Sequence, residues 1–193
     1  MRRSDKKIKR IKSFLIGVLS IVLFVQGTFY IVQAANVTIN VTKCAQEKSK
    51  WCWAACAEMV GKYYGHSFSQ KNICKHVKGQ VIDEAATISE ITSALGYTTS
   101  HTVNSTGVLS FSGLSKAIYA GSPRVIRIGW TSGNGHVYVL AGIREETGGQ
   151  TAGLYLIDPI AGHGNAYYAY TKLVNGTNLA AGHGSYTNTW IIR

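Results

Sequence analysis

The stretch Gln46-Glu-Lys-Ser-Lys-Trp51-Cys52-Trp53-Ala-Ala-Cys56-Ala-Glu-Met59 carries most of the structural information in this sequence of 193 residues. Apolar or small residues recur at 53, 56, 57, 60 and 64, which predicts a helix from Trp53 to Tyr64 that stops at Gly65. Cys52 falls in the first turn, where unpaired backbone N–H groups and the helix dipole stabilise an anion such as a thiolate. Cys52 is therefore the candidate nucleophile.

Three further cysteines, Cys44, Cys56 and Cys74, leave the disulfide pattern open. Four is an even number, so a fully structural set is the alternative to a nucleophile. However, Cys52 and Cys56 lie on one helix face with nearly parallel side chains, which is poor geometry for a disulfide. Cys56 fits a small buried core residue better. We expect at most one disulfide, among Cys44, Cys56 and Cys74, and neither a metal site nor a cofactor, because ligand spacing is lacking.

A thiol nucleophile needs a histidine that forms an ion pair with it and later protonates the leaving amine. Of the six histidines, only His136 follows a glycine-rich turn, 132–135, and begins an apolar strand, 137–142. This position places an imidazole at the rim of a rigid sheet, beside small residues that leave room for substrate. His136 is the candidate base and His163 the second choice. The alternative is an ordinary core or surface histidine.

Asp158 is the candidate for the acceptor that holds the base in one tautomer, because it ends an apolar strand and no acidic residue follows it. A three-residue hairpin loop at 147–149 would pair Tyr138 with Asp158 and make His136 its diagonal neighbour on the same face. A two-residue turn would shift the register by one and turn the two side chains to opposite faces. A His136–Asp158 pair therefore requires a three-residue loop or a bulged hairpin.

Helical patterns fill the front half of the chain after residue 50, and strand patterns fill the back half. Helices are predicted at 53–64, from Ser69 to about Val77, from Thr87 to Gly96, and from Ser112 or Ser115 to Gly121. Strands are predicted at Arg124–Trp130, His136–Ile143, Leu154–Ile157 and Tyr186–Ile192. This order predicts an α+β domain in which a helical half packs on an antiparallel sheet.

The segment after Asp158 is rich in glycine and aromatic residues. A candidate mobile rim of the site is the region 161–185, on the basis of Gly162, Gly164, Gly182 and Gly184. The run from Tyr167 to Tyr170 is a candidate lining for a substrate groove, and an ordinary half-buried strand is the favoured alternative.

Residues 1–34 are predicted to be a secretory signal peptide, and residues 35–193 the functional domain. A basic segment, 2–12, precedes an apolar run from Phe14 to about Val32, and small residues follow at Ala34 and Ala35, after either of which cleavage would fall. The long basic segment is typical of Gram-positive bacteria, so the domain is expected outside the cell. The alternative is an uncleaved membrane anchor, because about 19 apolar residues nearly span a bilayer.

The net charge of +11 gives little information about partners once it is located along the chain. Seven Lys and Arg and one Asp lie in 2–12, so 13 basic and 8 acidic residues remain in 35–193, a net charge of +5. These basic residues are scattered singly, so we expect no nucleic-acid partner, and a membrane contact only if the first segment is uncleaved. The oligomeric state stays open.

The motifs resemble the papain-like cysteine peptidases, in the compact bacterial branch that includes the avirulence-effector cysteine proteases and relatives of the bacteriocin-leader peptidases. Gln46, then five residues, then Cys52-Trp53 is the family's active-site pattern, and a Gly-His before an apolar strand is its second. The resemblance implies a papain-like fold and a secreted thiol endopeptidase that takes protein or peptide substrates. It also implies that the Gln46 amide and the Cys52 N–H form the oxyanion hole.

Two departures and two alternatives accompany this resemblance. Asp158 stands where plant members have Asn, and Lys50 and Trp51 replace the usual small residues before the nucleophile. Trp51, with Trp53, is expected to wall the substrate cleft. The same thiol chemistry serves cell-wall peptide amidases and transglutaminase-type acyl transferases, but Gln46 and Trp53 favour the peptidase. An inactive papain-like binding module is disfavoured because no member of the catalytic set is missing.

Overall fold

The structure, a computed structural model, describes residues 36–147 and 149–193. The predicted signal peptide and its cleavage position lie outside the described residues. Across the described ranges, every helix is too short or too polar to cross a membrane.

Eight strands and five helices make up the described part of the chain. In chain order they are β1 (Asn36–Thr38), α1 (Cys52–Tyr63), α2 (Gln70–Lys78), α3 (Ile88–Thr99), β2 (Val103–Thr106), α4 (Phe111–Tyr119), β3 (Arg124–Trp130), β4 (Gly135–Arg144), β5 (Gly153–Ile157), β6 (Ala166–Ala169), α5 (Tyr170–Asn175), β7 (Thr177–Leu179) and β8 (Gly182–Ile192).

These strands form one antiparallel sheet in the order β2-β8-β3-β4-β5-β6, with β1 added on β4 and β7 on β8. The N-terminal helices α1 to α3 pack on one face, where Trp53 and Leu95 meet Val139 in one buried cluster. On the other face, a second cluster joins Leu114 of α4 and Leu173 of α5 to the sheet. The α+β prediction, with helices packed on a C-terminal antiparallel sheet, is confirmed.

Two of the predicted helix starts are confirmed, and one predicted helix end is wrong. Ser69 caps α2 and Thr87 opens α3 with a reciprocal capping box, both as predicted. The prediction that α3 ends at Gly96 is wrong, because the helix continues to Thr99 and Ser100 ends it in the left-handed region (φ 57°). A glycine within a helix costs about 1 kcal/mol, but it does not end α3 here. Thr98 and Thr99 in the last turn are fully buried, and both hydroxyls donate to the Leu95 carbonyl.

The cap of α4 was also predicted wrongly. Ser110, rather than Ser112 or Ser115, caps this helix, and its hydroxyl accepts the Gly113 N–H at 3.2 Å.

The segment predicted as a glycine-rich rim, 161–185, contains β6, α5, β7 and the start of β8. Tyr167 and Tyr168 are half-buried and pair with Tyr155 and Leu154 of β5. The half-buried strand is therefore the better interpretation of these tyrosines. The glycines at 162, 176 and 182 have positive φ angles, which indicates that several serve the turns between these short elements.

Candidate active site

Cys52 is the first residue of α1, so it lies in the first turn of the helix as predicted. Trp51 occupies the N-cap without a side-chain cap, and the first turn contains no acidic residue. The leading N–H groups of a helix have no intrahelical acceptor. Because neither a capping side chain nor a carboxylate competes for them, they are available to an anion at Cys52. Cys52 is half-buried.

The hairpin between β4 and β5 is bulged. Thr147 and Gln150 bond each other across the turn, so the three-residue loop at 147–149 is not formed. The hairpin takes the other geometry that the prediction allowed, a bulge. Next to this turn, Ile143 pairs with Leu154. If this register continued along the strands, His136 and Asp158 would lie on opposite faces of the sheet. The register then shifts by one between Leu140 and Gly142.

Beyond the bulge, Val139 pairs with Ile157, so continuing this register places Tyr138 opposite Asp158. This is the register that a His136–Asp158 pair requires, and it brings the two side chains to one face of the hairpin. Bulges commonly redirect side chains next to functional sites. Here, a single extra residue in β4 determines whether the two groups meet.

His136 and Asp158 form a buried pair. The distance from His136 Nε2 to Asp158 Oδ1 is 2.9 Å, and the two residues are only 6% and 3% exposed. Tyr138 packs edge-on against the imidazole at 4.7 Å, and Trp130 lies parallel to it at 6.2 Å. These rings exclude water from the pair and restrict the orientation of the imidazole.

Burial lowers the pKa of His136, but the hydrogen bond to Asp158 and the interaction with Cys52 more than offset this effect. The net result raises the pKa of His136 from 6.5 to about 9. At neutral pH the imidazole is therefore protonated. Since Asp158 occupies Nε2, the second ring nitrogen remains available for Cys52.

Asp158 accepts hydrogen bonds from three donors. Besides His136, the Ile160 N–H donates to Oδ1 at 2.9 Å, and His163 Nδ1 contacts Oδ2 at 2.9 Å. Burial raises the pKa of this carboxyl, but the three hydrogen bonds outweigh burial and lower the pKa below its usual value. The second-choice base, His163, therefore lies on the far oxygen of the same carboxylate.

Gln46 lies beside the Asp158 segment through its backbone, since its N–H donates to the Pro159 carbonyl at 2.7 Å. Its side-chain amide donates to the carbonyls of Lys48 and Ser49, at 3.0 and 2.9 Å. The amide oxygen is buried without a partner among the described residues. A role in an oxyanion hole therefore requires Gln46 to exchange a loop carbonyl for the substrate oxygen.

The two tryptophans proposed for the cleft differ in position. Trp51 is fully buried, donates through Nε1 to the Ile82 carbonyl, and does not line the cavity beside the nucleophile. Trp53 does line that cavity, of about 90 Å³, together with Cys52. Arg127 also lines it, although it was not predicted as a site residue. The available signal was an arginine within the apolar pattern of β3.

All four cysteines carry free thiols, so the disulfide expected among Cys44, Cys56 and Cys74 is not formed. The Cys56 and Cys74 thiols are buried and donate to backbone carbonyls, that of Val137 and those of Gln80 and Ile82. Burial raises the pKa of Cys56 well above its usual value. Cys56 is therefore a core residue, and Cys52 is the cysteine positioned at the helix terminus.

Comparison with protein families gives a match over residues 31–172, to the family described as papain-like cysteine protease AvrRpt2. No curated protein is significantly similar in sequence.

Three solved structures share the fold. The peptidase domain of Streptococcus ComA, a bifunctional ABC transporter involved in quorum sensing, has a TM-score of 0.53 and 15% identity, over 79% of this chain and 98% of that domain. A putative C39-like peptidase from Bacillus anthracis gives 0.54 and 15%, over 82% and 98%. A double-glycine-motif protease from an AMS/PCAT transporter, solved with its leader peptide, gives 0.50 and 16%, over 81% and 93%. At these identities the similarity shows the fold alone.

Proposed function

The chain belongs to the family of the papain-like cysteine protease AvrRpt2, and we propose that it hydrolyses peptide bonds with Cys52, His136 and Asp158 as its catalytic residues. A cysteine peptidase acts on protein or peptide substrates. The observation that carries the residue assignment is the buried His136–Asp158 pair beside a cysteine at a helix N-terminus. The distance of 2.9 Å holds the imidazole with one nitrogen free for the thiol.

The reaction proceeds through an acyl-enzyme. The Cys52 thiolate attacks the substrate carbonyl carbon, a C–S bond forms, and negative charge develops on the carbonyl oxygen. The Cys52 N–H and the Gln46 amide stabilise this oxyanion. As the C–N bond breaks, the His136 imidazolium gives its proton to the leaving amine.

Water then completes the cycle. His136 takes a proton from the water as its oxygen attacks the thioester carbon. Cleavage of the C–S bond releases the acid and regenerates the thiolate. Asp158 keeps His136 oriented and stabilises its charged form in both halves of the reaction.

Labelling with a thiol-directed epoxysuccinyl inhibitor tests the assignment. We expect the wild-type protein to be labelled at Cys52 and to hydrolyse a casein-type substrate. Cys52→Ala should abolish both the labelling and the hydrolysis. His136→Ala should abolish hydrolysis and slow the labelling of Cys52 by at least ~100-fold, as expected for loss of a general base. Cys56→Ala is the matched control and should keep the label at Cys52.

Preferential labelling of Cys56 or Cys74 would overturn the assignment. The same protein is also tested on peptidoglycan stem peptides and in acyl-transfer assays. Cleavage of stem peptides without cleavage of casein would identify a cell-wall amidase. Acyl transfer without hydrolysis of casein would identify a transglutaminase-type enzyme. A protein that binds peptides without hydrolysing any of these substrates would be an inactive module.

We further propose that the domain is secreted after cleavage behind Ala34 or Ala35. The basic and apolar pattern of residues 2–32 supports this proposal. Expression of the full chain in a Gram-positive host should release a protein that begins at Ala35 or Asn36, as measured by intact mass. Recovery of the whole chain in the membrane fraction would instead indicate an anchor.

A further inference from the structure

The cavity beside Cys52 contains one fixed positive charge. Its lining is apolar at Trp53, Ile91 and Val137, and Arg127 is the only charged residue among the described residues that line it. Because Cys52 itself lines the cavity, a substrate side chain that enters it belongs to a residue close to the scissile bond. The cavity therefore combines an apolar wall with a guanidinium next to the nucleophile.

The Arg127 side chain is held in place by neutral acceptors. Nη1 donates to the Thr187 hydroxyl at 2.9 Å, and Nη2 donates to the Asn134 carbonyl at 2.5 Å. Thr187 is available because β8 bulges there, with Arg127 paired to Asn188 and Ile128 to Tyr186. Threonine hydroxyls and backbone carbonyls fix the guanidinium without neutralising its charge.

Gly135 provides the space that the guanidinium occupies. A Cβ atom at Gly135 would lie 2.9 Å from the Arg127 Cζ and 2.4 Å from the Ile128 carbonyl oxygen, so a larger residue would displace one of them. The glycine before His136 therefore lets Arg127 pack directly beside the residue proposed as the catalytic base.

The charge of Arg127 has no acidic partner in the described part of the chain. Ion pairs there join Lys62 to Glu58 and Lys78 to Glu90, and the remaining two are made by histidines with Asp158. Two of the five guanidinium N–H groups are used in the hydrogen bonds above, and a planar guanidinium binds carboxylates through paired N–H groups. A half-buried, oriented and uncompensated cation is suited to an anionic ligand.

We propose that Arg127 selects substrates that carry an aspartate or glutamate side chain next to the scissile bond. This inference rests on the proposed function, since it assigns a substrate class to the same site. The carboxylate of the substrate pairs with the free edge of the guanidinium, while its methylene groups contact Trp53, Ile91 and Val137. Hydrogen bonds to charged groups imply a preference of roughly ten- to a hundredfold for Glu over Gln.

The test uses protein obtained from the full chain and a matched set of fluorogenic peptides. The peptides differ only in Glu, Gln or Lys at each of the two positions on either side of the scissile bond. We expect kcat/KM to favour Glu over Gln at least tenfold at one position in the wild type. Arg127→Gln should reduce that ratio to about one, and Arg127→Glu should shift the preference to Lys. Arg144→Gln, which removes a cation elsewhere on the sheet, is the control.

A second measurement does not depend on peptide hydrolysis. The rates at which iodoacetate and iodoacetamide alkylate Cys52 are compared by mass spectrometry, since the reagents differ mainly in charge. The anion-to-amide rate ratio should fall severalfold in Arg127→Gln and stay unchanged in Arg144→Gln. If it falls although no peptide is cleaved, the anionic subsite stands and the proposed function fails. If peptides are cleaved, but Arg127→Gln changes neither the Glu-to-Gln ratio of kcat/KM nor the iodoacetate-to-iodoacetamide rate ratio, the role of Arg127 is overturned. The proposed function then remains intact.

Discussion

At the scale of single residues, Asp158 connects more of the site than any other side chain described above. A buried carboxylate is stable only when donors surround it, and here His136, the Ile160 N–H and His163 supply them. Lys43 holds the same loop by donating to the carbonyls of Ile160 and His163. The orientation of His136 therefore depends on residues that do not contact the substrate.

Replacing His163 tests how much of this orientation comes from the far oxygen of Asp158. His163→Ala removes a donor that lowers the pKa of Asp158, so the pKa of the carboxyl should rise and the acid limb of the kcat/KM profile should move to higher pH. His163→Asn keeps an amide donor near the position of Nδ1 and should restore the profile. An acid limb that does not move in His163→Ala would show that His163 has no influence on Asp158.

The raised pKa of His136 predicts how the enzyme responds to base. The protonated imidazole is stabilised in the folded state, so this contribution to stability is complete below pH 6.5 and is lost as the pH rises through about 9. The activity that requires the imidazolium should fall in the same range. Asp158→Asn removes the partner charge and should move the basic limb of kcat/KM to lower pH. A basic limb at the same pH in Asp158→Asn would contradict the assignment.

Residues whose role depends on local sequence context could be predicted. Residues whose position depends on contacts with distant parts of the chain could not. Cys52 was recognisable from its helix turn, and His136 from the strand that it begins. The burial of Trp51 depends on a hydrogen bond to Ile82, 31 residues away. The position of Arg127 depends on Thr187, 60 residues away. Neither contact leaves a local pattern.

At the scale of elements, the β4–β5 hairpin shows the same limit in backbone form. Two glycines in the loop are compatible with either turn length, so the sequence could state the required register without choosing the geometry that produces it. The structure uses the shorter turn and corrects the register with a bulge at Ala141. Gly142 beside the bulge allows β1 to approach closely, since a Cβ atom there would lie 2.7 Å from the Val37 carbonyl oxygen. The bulge therefore forms where a third strand joins β4.

The capping box of α3 was predictable because both partners lie within four residues. The Thr87 hydroxyl accepts the Glu90 N–H at 3.2 Å, and the Glu90 carboxylate accepts the Thr87 N–H at 2.7 Å. Thr87→Ala should lower the free energy of unfolding by about 1 kcal/mol, measured by urea denaturation. Thr87→Ser keeps the hydroxyl and should retain most of the stability. Equal losses in the two variants would show that the methyl group, not the cap, matters.

At the scale of the whole molecule, the order of helices before strands was enough to predict the fold class, although several elements were missed. β2, β6, α5 and β7 each contain three to six residues, too few for a clear hydrophobic period. They exist because the sheet provides partners for them, as β8 does for β2 and β7. Short elements of this kind are a consequence of the tertiary fold rather than of local preference.

The free thiols predict that the stability of the domain does not depend on redox conditions. The melting temperature should be the same within about 1 °C with and without dithiothreitol. A structural disulfide contributes about 2–5 kcal/mol, which would shift the melting temperature by at least ~5 °C in a domain of this size. Such a shift would show that two cysteines pair in the oxidised protein. A count of four alkylated thiols in the denatured, unreduced protein is an independent check.

The central place of β8 in the sheet has a consequence for timing during synthesis. β8 follows every other described element along the chain, yet it lies between β2 and β3. The β2-β8-β3 order of strands therefore cannot form until residues near 192 have left the ribosome, long after Cys52 has emerged. Until then β3, which carries Arg127 and borders His136, lacks its second neighbour. The nascent chain thus presents its thiol well before the scaffold that would make it a peptidase is complete.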